Sequence, residues 1–139
     1  MKVVNEVMPT PQRAMEFFSG EEDGPFVMVN LLKFKAKAEY ADGSDSHLTG
    51  AEAYARYAEV VRTLVEGRGG RIRYNGVVTG LLLGEVEELW DAVGLAEYPS
   101  YAAFREMASS PAMHEIEHHR KAGLAGQLNI RTKPGAAFL

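Results

Sequence analysis

Strand-like and helical segments follow one another as β-α-β-β-α-β along this 139-residue chain, an order that predicts an α+β fold: a four-stranded sheet with helices on one face, the ferredoxin-like arrangement. Two further observations support it. The first strand candidate, FVMVNLLKF from Phe26 to Phe34, is apolar on both faces, as a central strand is. The second helical region carries Ser109-Ser110-Pro111 in its middle and is therefore split in two. The length suits one hydrophobic core, so residues 1–25 read as an N-terminal extension and 26–139 as a single ferredoxin-like domain.

The elements follow in order. Pro9 and Pro11 flank a short helix from Gln12 to Phe18, closed by Ser19-Gly20 and an acidic turn over 21–24. After the first strand the chain turns polar from Lys35 to Thr49, with no period, and reads as a long loop. Thr49 caps a helix whose Tyr54, Tyr57, Ala58, Val61, Leu64 and Val65 form one buried stripe, ending at Gly67-Arg68-Gly69-Gly70. This glycine-rich end resembles a phosphate loop in composition only, since a strand follows it. Arg71 to Gly84 (RIRYNGVVTGLLLG) reads as a strand bent at Gly76, Gly80 and Gly84, and Leu89 to Tyr98 as the next, stopped by Pro99. Ser100 caps a helix with Tyr101, Phe104, Met107 and Ala108 inward. A further helix spans Ala112 to Ala122 and ends at Gly123, and Gln127 to Thr132 alternates as the last strand.

Composition narrows the function classes. A hydrophobic share of 46% with no long apolar run describes a globular chain, and neither Phe26–Leu32 nor Val77–Leu83 is long enough to cross a bilayer. The first residues, MKVVNEVMPTP, do not resemble a secretory signal, which predicts a cytoplasmic protein. Having 0 cysteines removes disulfides, thiolate metal sites and a Cys nucleophile. A net charge of -4, with basic residues gathered only at Arg68, Arg71 and Arg73, argues against nucleic acid as a partner. One difficulty is left: a sheet apolar on both faces with helices on only one would expose a large hydrophobic surface. A second copy would cover it, so a homodimer with two-fold symmetry is expected.

Several blocks in sequence also resemble a known group: MVNLLKFK at 28–35, YARY at 54–57, GG at 69–70, VTGLLLGEVEELWD at 78–91, EYPS at 97–100 and HRKAGLAGQLNI at 119–130. Together they are similar to an uncharacterised domain-of-unknown-function family in the dimeric alpha-beta barrel superfamily. The likeness spans about residue 26 onward. It implies a ferredoxin-like protomer with a barrel closed across a dimer, in a superfamily that includes cofactor-free monooxygenases, muconolactone isomerase, haem-processing enzymes and stress-induced proteins. Fold does not choose among these. Met113 stands where such proteins often carry an aromatic residue.

Candidate site residues are few. HEIEH at 114–118 spells the zinc-peptidase pattern, in which His114 and His118 would share a zinc and Glu115 would activate its water. No His, Glu, Asp or Cys follows His119 to act as a third ligand, and Lys121 replaces the glycine of the longer pattern. Zinc hydrolysis is thus a remote alternative that would need His47. Asn30 is a polar residue on the Phe26, Met28, Leu32 face of its strand, and must be bonded to the fold or to a ligand. Trp90 and Tyr98 would share one face of a strand with small residues between them, leaving room for a ligand or a partner subunit. Tyr57, like Tyr54, lies on a buried stripe and needs a hydroxyl partner. Arg120 lies on the apolar side of its helix, paired with Glu97 or Asp91 or gripping an anion; His119 is a candidate proton shuttle.

These residues lead to one expectation: a homodimer binding a small anionic or aromatic molecule in an apolar cavity, with His119 and Arg120 catalytic and Asn30, Tyr57, Trp90 and Tyr98 binding. It would be cofactor-independent if it is an enzyme, since no flavin or nicotinamide fingerprint is present. The competing expectation is a structural or stress-type binding protein with a packed core.

Overall fold

A computed structural model describes residues 1–20 and 24–135; most of the acidic turn expected at 21–24 lies outside the described residues. The elements are α1 (Pro11–Phe18), β1 (Phe26–Phe34), α2 (Gly50–Gly67), β2 (Arg71–Val77), β3 (Ala92–Tyr98), α3 (Tyr101–Ala108), α4 (Pro111–Gly123) and β4 (Leu124–Thr132). The strands form one antiparallel sheet in the order β2-β3-β1-β4, so the apolar β1 is central, as its composition requires.

Local chemistry sets the helix starts. Thr49 and Glu52 form a reciprocal capping box at α2, and Ser100 and Ser110 accept from the Ala103 and Met113 amides to start α3 and α4. Pro111 at the first turn then separates the two, which is the expected split. Buried Phe26, Met28, Ala96 and Tyr98 on one face of β1 and β3 meet Val65 of α2, Tyr101 and Met107 of α3, and Met113 and Ile116 of α4. The helix α4 passes directly into β4. It crosses α2 where a Cβ on Gly123 would collide with the Gly50 carbonyl and the Tyr54 backbone, so only glycine allows this approach.

The register of β1 sends Val27, Val29 and Leu31 to the opposite face, beside Val93 and Leu95 of β3 and Leu128 and Ile130 of β4. The helices whose packing is described cover only the first face. Tyr74 and Ile130, at 59% and 44% exposure, show how open the second one is.

Two strands are shorter than the sequence suggests. β2 stops at Val77 and β3 begins only at Ala92, because Asp91 closes the intervening stretch: its carboxylate accepts from the Phe34 amide at 2.8 Å and its own N–H donates to the Leu32 carbonyl at 2.7 Å. Residues 78–91 therefore form a connection, with Leu81, Leu82 and Leu83 exposed. Its Gly84 has φ 91, a conformation a strand does not use. β4 starts three residues earlier than expected, at Leu124.

Candidate functional site

Polar groups collect on the helix-facing side of the sheet. Asn30 stands at mid-strand in β1, opposite Gly94 of β3 and Asn129 of β4. Its Nδ2 donates to the Gly94 carbonyl at 3.3 Å. Its Oδ1 accepts from Gln127 Nε2 at 2.8 Å, and Gln127 Oε1 accepts from Arg120 Nη2 at 2.6 Å. Arg120 Nη1 donates in turn to the Val7 carbonyl at 2.6 Å. A continuous chain of hydrogen bonds thus runs from the centre of the sheet, through buried Gln127, to a cation in the last turn of α4. The direct passage of α4 into β4 is what folds Arg120 back over a residue seven positions later.

Three tyrosines border this chain. Tyr54 and Tyr57 project from α2 with ring centroids 5.4 Å apart, and the Tyr98 ring packs 4.6 Å from Phe104. None of the three hydroxyls makes a hydrogen bond to another described residue. Burial pushes all three phenol pKa values up, so each stays a neutral O–H donor at physiological pH. The Arg120 charge opposes that shift at Tyr54 and Tyr57, whereas Glu117 adds to it at Tyr57. Tyr98 is raised further by Tyr57 and Tyr54, which places the three phenols within electrostatic reach of one another. Such a group offers neutral donors and one cation, a set suited to an anionic or phenolic oxygen.

The structure therefore joins Asn30 to Arg120 through Gln127, sets Tyr57 within reach of the Arg120 charge and Tyr98 within reach of Tyr57, and leaves two expected members elsewhere. Trp90 precedes β3 rather than lying in it, and its indole N–H donates to Asn5 Oδ1 at 2.7 Å. His119 is one helical position from Arg120 and so about 100° away around α4. It meets the 35–49 loop instead, where Tyr40 Oη lies 2.7 Å from Nδ1. Burial lowers its pKa first, then the His118 and Arg56 charges. The expected ion pairs of Arg120 are also replaced: Glu97 is held by Arg71 and Arg73, and Asp91 by Lys33. Gln127, which sequence did not select, joins the candidate site together with Tyr54, noted there only as Tyr57's companion on the buried stripe; a buried amide four residues past α4 was the available signal. At HEIEH, His114 and His118 are exposed while Ile116 is buried. Among the described residues no three His, Cys, Asp or Glu side chains gather as metal ligands.

Taken together, sheet order and helix placement define a ferredoxin-like protein with a polar cluster between sheet and helices. Residues 44–132 match the family DUF1330, a domain of unknown function, and the chain belongs to that family. It is 36% identical to a protein of unknown function from Rhodopseudomonas palustris, covering 96% of this chain and 100% of that one at a TM-score of 0.86. More distant likenesses bear on fold alone. A dimeric ferredoxin-like protein of unknown function from Bacteroides fragilis is 12% identical over 79% of this chain and 96% of its own, with TM-score 0.51. A cofactor-independent oxygenase from Streptomyces nogalater is 13% identical over 83% and 97%, with TM-score 0.53. No curated protein matches the chain. Among the described residues no helix is long and apolar enough to cross a membrane.

Proposed function

We propose that this chain is a homodimeric binding protein for a small aromatic carboxylate or phenol, held between sheet and helices by Arg120, Asn30 and the hydroxyls of Tyr54, Tyr57 and Tyr98. The observation that carries the reading is the pair of hydroxyls of Tyr54 and Tyr57, which make no hydrogen bond to a described residue and lie within reach of the Arg120 charge, with the Tyr98 phenol next to them. These hydroxyls keep donor capacity that a bound oxygen would use beside the guanidinium. Catalysis at this site would be cofactor-independent, with Glu117, whose charge reaches Tyr57, in place of His119 as proton acceptor. The dimer is supported by the uncovered apolar face of the sheet, since soluble monomers seldom leave such a patch exposed.

A second reading, a non-catalytic structural or stress-type protein, draws on one observation: Asn30, Gln127 and Arg120 already satisfy one another without a ligand. Calorimetry with a panel of benzoates and phenols separates the two. Binding that weakens roughly fivefold in Tyr57→Phe, the loss of about one hydrogen bond, supports a ligand site. Absence of heat across the whole panel, or equal affinities in wild type, Tyr57→Phe and Asn30→Ala, supports the structural protein.

A further inference from the structure

The segment before α1 reaches the site through one side chain. Arg120 divides its guanidinium between Gln127, inside the protomer, and the carbonyl of Val7, in that segment. Two more polar ties hold the same stretch. The Glu6 amide donates to the Gln127 carbonyl at 3.2 Å as a single antiparallel bridge outside the named strands. Asn5 accepts from the Trp90 indole, and its side chain sits where a Cβ on Gly126 would be, so the glycine makes space for it.

Apolar packing contributes little to this attachment. Val3, Val4 and Met8 are 44%, 55% and 44% exposed; the apolar anchor comes only further along, where Phe17 of α1 packs on Tyr101 and Phe104. A segment tied by a few hydrogen bonds over exposed apolar side chains belongs to the least stable part of a fold and opens locally. Its charge-assisted contacts, from Arg120 Nη1 to the Val7 carbonyl and to Met8 Sδ at 3.8 Å, also use the cation that an anionic ligand would need.

Resting on the ligand site proposed above, we infer that Arg120 is a shared clamp. In the free protein it fastens residues 5–8 against the site, and on binding of a carboxylate it transfers Nη1 from the Val7 carbonyl to the ligand, releasing that strap. Arg120 is thus both the anion-recognising residue and the strap's fastener, and strap closure and anion occupancy exclude each other. Two consequences follow. A carboxylate must displace the Val7 carbonyl, so its apparent affinity is reduced by the fraction of protein with the strap closed. Loosening the strap at its far end, away from Arg120, must then tighten binding.

Hydrogen exchange at the Glu6 amide, read in the full chain, tests the clamp, with benzoate as the probe and calorimetry in parallel. In Arg120→Gln without any ligand, Glu6 is expected to exchange at least tenfold faster than in wild type, while β1 and β3 amides keep their protection. Unchanged Glu6 protection overturns the clamp whether or not benzoate binds. Saturating benzoate is expected to accelerate Glu6 exchange in wild type and to add nothing in Arg120→Gln. Heat of binding with no change at Glu6 overturns the transfer. Fast Glu6 exchange in Arg120→Gln together with no heat in wild type instead overturns the anion site itself. Should Arg120→Gln not fold, Trp90→Phe, which frees only Asn5, serves as the second arm: benzoate binds it about fivefold more tightly if strap and anion compete, and equally or more weakly if they do not.

Discussion

Gln127 is the link whose removal reports most directly on the polar chain. Replacing it with leucine keeps approximate volume at a buried position while stranding Asn30 Oδ1 and Arg120 Nη2, bonded at 2.8 and 2.6 Å in the native protein. The neutral bond contributes about 1 kcal/mol and the charge-assisted one about 2 kcal/mol, so Gln127→Leu is expected to lose about 3 kcal/mol. With a urea slope of roughly 1.5 kcal/mol/M, the unfolding midpoint falls by about 2 M. The measurement is urea unfolding at fixed protein concentration, since association contributes to apparent stability. A double-mutant cycle adds the decisive comparison: Arg120→Met together with Gln127→Leu removes the stranded charge and is expected to be less destabilised than the sum of the singles by more than 1 kcal/mol. A Gln127→Leu midpoint within about 0.5 kcal/mol of wild type, or strict additivity in the cycle, refutes a chain of coupled bonds.

Three further outcomes follow from the same structure. Tyr101 has a buried hydroxyl with no hydrogen-bond partner among the described residues, so Tyr101→Phe is expected to raise stability by about 1 kcal/mol, read as a melting temperature roughly 3 °C higher; a drop contradicts the unsatisfied hydroxyl. His119 has a folded pKa held below its ordinary value, so the unfolded chain binds the proton more readily. Its stabilising share is complete above pH 6.5 and is lost as pH falls through 6.5 toward the folded value. Unfolding free energy should therefore decline on acidification from pH 7 to about 5.5, and decline less in His119→Gln. Leu95 lies on the uncovered face opposite Val29, and Leu95→Glu is expected to sediment as a monomer with the circular dichroism of the wild type; an unchanged assembly refutes pairing through that face.

Sequence revealed the element order because periodicity and capping chemistry are local: the Thr49 box, the Ser100 and Ser110 caps and the two-sided β1 each announce themselves within a few residues. It singled out Asn30 and Arg120 for a similar reason, since a polar group on an apolar face is conspicuous, and the structure links the two through Gln127. What it did not reveal is long-range. Asp91 closes the connection to β1 by bonding across the sheet, which no run of leucines signals, so both neighbouring strands read too long. QLNIRT alternates cleanly, but Gln127, Asn129 and Arg131 face the helices while Leu128 and Ile130 take the open face, the reverse of the usual inference. Gln127 was hidden by that inversion. Arg120 and His119, adjacent in sequence, diverge because a helix turns about 100° between them.

The inversion in β4 also ties the two parts of the proposed function together. Because Leu128 and Ile130 are turned outward, the open face of the sheet is apolar up to its β4 edge and calls for a cover. Because the same turn sends Gln127 inward, the space behind the sheet is polar at that edge. A one-residue slip of β4 against β1 would exchange these faces, burying leucine under the helices and exposing the amide. The bulge between Lys33 and Phe34 lets Leu124 pack against Phe34 in the core while the rest of β4 keeps the other phase, so it fixes that register. The proposed assembly surface and the proposed ligand site therefore depend together on this one register. A substitution that shifts this bulge is expected to lose both dimer and benzoate binding together, whereas Leu95→Glu removes the dimer by a route that leaves Gln127 in place.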